Sequence, residues 1–243
     1  MIASAIEDVR FMYGDILMLT KIQNKQPLAF IRIGDGEIEV MNNINIEGRD
    51  KSFYFLDMGI ALEESVKLCW YDVNVFIGLQ SAKVIERYDY EIKMWMNQNG
   101  WKRERFMDAD IFHKMSVDGK FMEWFNNLCD TRKVLIVGKQ ALRKVAGKFD
   151  MVVTPEVNCW LYYDQIVKQI KDTDHDVVLF ACSAPAKIMI CNLWKENNTR
   201  TYLDVGSVLD PYAGISTRRY HKEIVERENK KAEQGVCDSV KVQ

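Results

Sequence analysis

From Phe121 to Gly206 the chain alternates short apolar runs with segments of helical period. No other feature constrains the fold as strongly. A helix through Trp124 and Leu128 leads to a strand over Lys133–Val137, and Gly138-Lys139 then opens a helix through Leu142 and Val145. Phe149–Val153 reads as the next strand. Thr154-Pro155 follows as an N-cap and first-turn pair for a helix carrying Val157, Trp160, Leu161, Val167 and Ile170. Val177–Cys182 is the most strand-like run, Ser183-Ala184-Pro185 starts a helix with Ile188, Cys191 and Trp194 on one side, and Thr201–Val205 is the last strand. Strands this short and this apolar need cover on both faces. Alternation with helices supplies that cover through parallel crossovers. The expected fold is α/β: a mainly parallel sheet of about six strands with helices on both faces.

The first half fits the same plan less regularly. Ile2, Ile6, Val9, Tyr13 and Ile16 are spaced for one face of an amphipathic helix. Leu28–Ile33 reads as the first strand, Leu62–Trp70 as a helix, Val73–Leu79 as a strand and Tyr88–Met96 as a helix. Asn97–Lys120 has no clear period. It carries Trp101, Lys102, Arg103, Arg105 and Phe106, then Met107-Asp108-Ala109-Asp110, and reads as an insertion over a pocket or a solvated connection. No repeat or linker divides the chain, so residues 1–243 are expected to form one domain, with a charged tail from about residue 222 read as a surface helix.

Composition narrows the class. At 48% hydrophobic the 243 residues can bury a substantial core, and a net charge of −2 argues against nucleic acid as a partner. The six cysteines include no CxxC pair, and the three histidines are too scattered for a zinc pattern. Free thiols among apolar neighbours suit a reducing cytoplasm. Asp8, Arg10 and Asp15 interrupt any signal-peptide core, and no run is long enough for a transmembrane segment. Oligomeric state is not encoded in any legible pattern.

The chemistry concentrates in Arg32-Ile33-Gly34-Asp35-Gly36-Glu37. Asp35 and Glu37, at a glycine-loosened strand end, can hold one hard divalent cation, and Arg32 can meet an anionic ligand of that cation. The same residues also suit a hairpin turned at Asp35-Gly36, with Ile31, Ile33, Ile38 and Val40 on its faces. They suit equally a helix start, with Ile38, Met41 and Ile44 in period and Asp35 near its N-terminus.

In a doubly wound sheet, ligands bind outside the carboxyl ends of the strands. Lys139, Asn158, Ser183 and Asp204 fall at such ends, with Thr154 beside Asn158. Lys139 reads as a phosphate contact at a helix start or an exposed turn lysine. Ser183 reads as a ligand contact or a helix cap. Asp204 reads as a general base or a turn residue beside Gly206. The chain has no GxGxxG loop, no GxxxxGK[ST] loop and no GxSxG elbow, which speaks against dehydrogenase, ATPase and α/β-hydrolase chemistry.

Arg32-Ile33-Gly34-Asp35-Gly36-Glu37 resembles the RxGDGE signature of bacterial glycosyltransferases of the GT-D fold, whose Asp-x-Glu metal motif matches Asp35-Gly36-Glu37. The Val-Leu-Ile-Val-Gly strand, Pro155–Asp164, Val177–Ala186 and Leu203-Asp204-Val205-Gly206 follow in similar order, so the resemblance spans about residues 28–206. It implies a Rossmann-like domain, a nucleoside-diphosphate sugar donor such as a UDP-sugar, and a divalent cation, Mn2+ or Mg2+. Arg32, Gly34, Gly36, Lys139, Asn158 and Ser183 are the expected donor contacts, Asp35 and Glu37 the metal ligands, and Asp35, Glu37 and Asp204 the catalytic set. The family motif often ends Asp-x-Gly-His, whereas this chain has Ser207 after Gly206.

The expected activity is that of a metal-dependent glycosyltransferase of the hexosyltransferase class. It would act on a carbohydrate acceptor carried on a glycan, lipid or protein, with Trp101, Arg103, Arg105 and Phe106 on the acceptor side. A metal-dependent phosphohydrolase and a non-catalytic nucleotide- or carbohydrate-binding module are the alternatives. Sugar transfer needs an acceptor, hydrolysis needs only water, and a module releases no diphosphate.

Overall fold

The structure is a computed structural model that describes residues 14–43, 51–80, 86–100, 102, 106–216 and 218–233. Its strands are β1 (Ala29–Ile33), β2 (Val75–Leu79), β3 (Phe106–Asp108), β4 (Val134–Lys139), β5 (Asp150–Thr154), β6 (Val177–Ala181) and β7 (Thr201–Asp204). All pair in parallel, in the order β3-β2-β1-β7-β6-β4-β5. Leu28–Ile33 and Val177–Cys182 thus contribute to one sheet, as expected.

The helices are α1 (14–23), α2 (Asp35–Met41), α3 (Leu56–Cys69), α4 (Asp89–Asn99), α5 (Ile111–Val117), α6 (Phe121–Thr131), α7 (Tyr163–Lys171), α8 (Pro185–Glu196) and α9 (Arg219–Glu233). They divide between the two faces of the sheet. Side chains alternate along each strand. Ile31, Val137, Phe180 and Tyr202 therefore enter a core with α3, α4, α7 and α8. Phe30, Ile136, Leu179 and Leu203 enter a second core with α1, α5, α6 and α9. This double cover is why the strands read as unbroken apolar runs. Among the described residues no helix is long and apolar enough to cross a membrane.

Several expectations are corrected. Asp35-Gly36 is not a hairpin tip: α2 starts at Asp35, and the Glu37 carboxylate accepts the Gly34 N–H at 2.9 Å. The turn is thereby closed as a capping box. Lys139 does not open an α-helix but ends β4, followed by a 3-10 turn over Gln140–Lys144. Thr154-Pro155 starts no helix either. Asn158 adopts a left-handed backbone with φ 56°, Cys159–Tyr162 forms a 3-10 turn, and α7 begins only at Tyr163. Ser183 is not a cap, because α8 starts after Ala184 and no side chain caps it.

The sheet has a seventh strand, β3, within the segment left without a period. Phe106 is buried there against Trp70, with ring centroids 5.2 Å apart, so it is core and not an acceptor platform. Trp101, Arg103 and Arg105 lie outside the described residues, as do Ile2, Ile6, Val9 and Tyr13. Ile16 is exposed, and α1 instead buries Met18 and Ile22.

Gly78 lets this segment pass close. A Cβ there would lie 2.6 Å from the Ala109 Cα. The turn at residues 109–110 is therefore pressed against the end of β2, which carries Asp110 toward the centre of the sheet edge.

Candidate active-site cleft

β1 hands the chain toward β2 and one edge of the sheet, and β4 hands it toward β5 and the other. Between them, at the carboxyl ends of the central strands, opens a cleft of about 840 Å³. Arg32, Gly34, Asp35, Gly36, Glu37, Lys139, Asn158 and Ser183 all line it. Asp204 does not; it lies beneath the floor at 1% exposure.

One wall is acidic and rises from the first turn of α2. Asp35 accepts the Gly36 N–H at 3.0 Å and gives its own N–H to Gln80 Oε1 at 3.3 Å. Both glycines are needed for close approach. A Cβ at Gly34 would sit 2.6 Å from Gln80 Oε1, and one at Gly36 would sit 2.7 Å from the Tyr54 hydroxyl.

Under this wall lies Lys187, which sequence reasoning missed. Its Nζ is 2.8 Å from Glu37 Oε1 and 2.9 Å from Asp204 Oδ2, and it donates to the Ser183 carbonyl at 3.2 Å. The Asp204 contact is an ion pair lying off the hydrogen-bond direction. Asp204 Oδ1 meanwhile accepts the Gly206 N–H at 3.0 Å. Burial alone depresses the Lys187 ammonium, but Asp204 and Glu37 reverse this and hold it at about 12. Burial likewise pushes the Glu37 carboxyl up, and Lys187 outweighs it, so Glu37 stays below its usual range. Glu37 is thus a buried carboxylate kept ionised by a buried cation. The signal for Lys187 was present in the sequence: it shares a helical stripe with Cys191 and Trp194, a cation in an otherwise apolar face.

The other wall is basic and comes from the opposite layer. The Arg32 Nε donates to the Ala109 carbonyl, and its Nη2 reaches Asp110 Oδ1 at 3.0 Å and His113 Nδ1 at 3.1 Å. Gly206 makes room for it: φ is +57°, and a Cβ would fall 1.9 Å from Arg32 Nη1. An arginine only donates, so His113 Nδ1 is an acceptor and the ring proton sits on Nε2. Burial, then the charges of Arg32, His221 and Arg218, hold His113 well below the ordinary histidine value, so it is neutral at physiological pH.

Lys139 pairs with Asp210 at 2.9 Å. Asn158 works as a clamp at the rim. Its Oδ1 accepts the Phe53 N–H at 2.8 Å, and its N–H donates to Ser52 Oγ at 3.1 Å. Nearby, Trp160 donates to Asp57 Oδ2 at 3.3 Å.

Among the described residues no group of three or more His, Cys, Asp or Glu side chains is arranged to hold a metal. Asp35 and Glu37 offer hard oxygen donors from one turn of helix. Such a pair fits a hard cation whose remaining positions are filled by substrate phosphates and water.

A family model described as the GT-D fold-like domain matches residues 75–212. Three solved structures resemble the whole fold. One, a selenomethionine-substituted domain of unknown function 1792, has a TM-score of 0.63 at 16% identity, covering 98% of this chain and 89% of its own. A second, described as that highly conserved domain with a distinct glycosyltransferase fold, has a TM-score of 0.62 at 17% identity, covering 98% and 89%. The third, described as a new glycosyltransferase from Streptococcus sanguinis, has a TM-score of 0.62 at 14% identity, covering 94% and 86%. At these identities the likeness concerns the fold. No curated protein matches the chain.

Proposed function

Because the chain belongs to the GT-D fold-like family, we propose that it is a glycosyltransferase that moves a hexosyl group from a nucleoside-diphosphate sugar to a carbohydrate acceptor. The donor in this reading is a UDP-sugar, and the acceptor is a glycan or its lipid- or protein-linked form. The observation that carries it is that Asp35 and Glu37, from the first turn of α2, both line the cleft, with Glu37 held ionised by Lys187.

Cleaving a sugar–diphosphate bond builds negative charge on the leaving diphosphate. A divalent cation, Mn2+ or Mg2+, held by Asp35 and Glu37 would stabilise that charge. Both carboxylates line the cleft, Asp35 next to Gln80 and Glu37 over Lys187. Lys187 keeps Glu37 in place and charged. Asp204, buried under the same ammonium, is the second counter-charge and has no open route to an acceptor hydroxyl. Arg32, bonded to Ala109, Asp110 and His113, orients the basic wall. Asn158 holds residues 52–53 at the mouth, where Trp160 gives a ring face for a sugar. The free cysteines Cys69, Cys129, Cys159, Cys182 and Cys191 are all buried, which fits a reducing cytoplasm.

Calorimetry with UDP and a UDP-sugar, with and without Mn2+, tests the donor half. Metal-dependent binding of both is expected, and no nucleotide binding in either condition removes the reading. Incubation of a UDP-sugar without acceptor then separates the two: rapid release of UMP and sugar 1-phosphate, from cleavage of the P–O–P bond by water, would favour a phosphohydrolase, whereas slow release of UDP and free sugar is glycosyl transfer to water.

A further inference from the structure

Five lysines and arginines line the cleft, and they are not equivalent. Arg32 pairs with Asp110, Lys114 with Asp108, Lys139 with Asp210, and Lys187 with Glu37 and Asp204. Arg218 is exposed on the cleft and makes no ion pair among the described residues. Its charge reaches His113, His221 and Tyr220.

His113 lines the same cleft with one donor to give, and Tyr220, two residues after Arg218, packs against its ring. Arg32 takes Nδ1, which leaves the proton on Nε2, and no acceptor among the described residues takes that proton. The Tyr220 ring holds the imidazole edge-on, with centroids 5.6 Å apart and planes at 82°. The Tyr220 hydroxyl is in turn bonded to Ser207. A guanidinium without an ion pair and an orientation-locked N–H on one cleft make a donor set with no matching acceptor among the described residues. Tetrahedral oxyanions meet such sets with charge-assisted hydrogen bonds.

We propose that Arg218 and the Nε2–H of His113 form an oxyanion subsite for a phosphate ester or diphosphate, separate from the Asp35–Glu37 wall. The separation follows from the fold. Asp35 and Glu37 ride on α2, which packs into one core through Ile38 and Val40. His113 and Arg218 belong to α5 and the start of α9, which pack into the other through Ile111, Phe112 and Ile224. The subsite stands on this geometry. Its use in sugar transfer rests on the function proposed above, where the phosphate belongs either to the donor's diphosphate or to a phosphate-bearing acceptor.

The test is calorimetry in EDTA with inorganic pyrophosphate, UDP and a sugar 1-phosphate, and uridine as control. Pyrophosphate is expected to bind without metal, and more weakly as salt rises. Arg218→Gln, an exposed change that leaves the core intact, should weaken it by about tenfold or more. His113→Gln places an amide N–H near the Nε2 position and should stay within about threefold of the parent, whereas His113→Asn keeps only an acceptor for Arg32 and should lose about tenfold. Thermal unfolding of both His113 variants checks that they are folded, and 15N shifts of the parent imidazole should report the Nε2–H tautomer. Competition between UDP and the sugar 1-phosphate assigns the group to the donor; simultaneous binding assigns it to the acceptor. Absence of metal-free pyrophosphate binding, or binding indifferent to Arg218→Gln, overturns the subsite. Pyrophosphate binding without any UDP binding in Mn2+ would keep the subsite and remove the glycosyltransferase reading.

Discussion

The two walls of the cleft solve opposite problems. The acidic wall collects carboxylates and neutralises the deeper ones internally: Lys187 lies between Glu37 and Asp204, at 5% exposure. Among the described residues the basic wall pairs Arg32, Lys114 and Lys139 with carboxylates and leaves Arg218 open to the cleft. Buried charge must be paired where it sits. Charge at a rim can wait for a ligand. The acidic wall is accordingly part of the fold's stability, while the basic wall is scaffolded by Arg32 and finished by whatever enters.

That contrast can be broken most forcefully at Lys187. Lys187→Met leaves two buried carboxylates without their shared counter-ion and should cost about 3–5 kcal/mol, read from denaturant unfolding. Adding Glu37→Gln to that variant should recover part of the loss, because the two changes share one interaction. A cost of under about 1 kcal/mol for Lys187→Met would mean the acidic wall is not held together by charge.

At Asp35, on the same wall, the balance reverses. Asp35→Asn should lower sugar transfer by about a hundredfold, the scale of losing a charge that acts on the reacting group. Stability should move by no more than about 0.5 kcal/mol. Steady-state rates at limiting Mn2+ and a thermal melt together decide it, and full activity would remove Asp35 from the metal site.

The basic wall is most sensitive at Gly206. Gly206→Ala puts a methyl 1.9 Å from Arg32 Nη1 on a backbone at φ +57°. It should destabilise by about 1–3 kcal/mol and weaken pyrophosphate binding in parallel, as Arg32 swings away from His113. Loss of stability with binding intact would show that Arg32 does not set the imidazole.

The smallest effect lies behind that wall. Asp15 faces Asp108 and Lys114, and Asp108 in turn accepts the Asp110 N–H at 2.8 Å. Burial first, then Asp108, raises the Asp15 carboxyl from 3.8 to about 7, and its Oδ1 has no hydrogen-bond partner among the described residues. Between those values the folded chain holds a proton that the unfolded chain has released, so stability falls as pH rises from 3.8 through about 7. Asp15→Asn removes this loss. Its melting temperature should drop less between pH 5 and pH 8 than the parent's, by a few degrees. Identical slopes would place Asp15 in water in the folded state.

How much of this was legible depends on the range of the interaction. The parallel sheet followed from local rhythm, since apolar runs of five or six residues, too short for helices and flanked by helical periods, suit doubly covered strands. β3 escaped because three residues give too short a run to show a period. The α7 start was misplaced because Thr154-Pro155 is a sound local cap, yet Asn158 is held in a left-handed turn by Ser52 and Phe53, far away in sequence.

The candidate residues at strand ends converged because strand ends converge in any parallel sheet. The partners did not announce themselves. Residue order determined the alternation, the apolar faces and the Asp35–Glu37 pair on one turn, all of which are encoded within a few residues of one another. Only the tertiary structure decided that Lys187 stands under Glu37, that Asp204 is buried against that same ammonium, and that Arg218 is, among the described residues, the cleft cation without a carboxylate. Periodicity specifies which side of an element is buried. Which distant charge meets it there is settled only when the two layers close over the sheet.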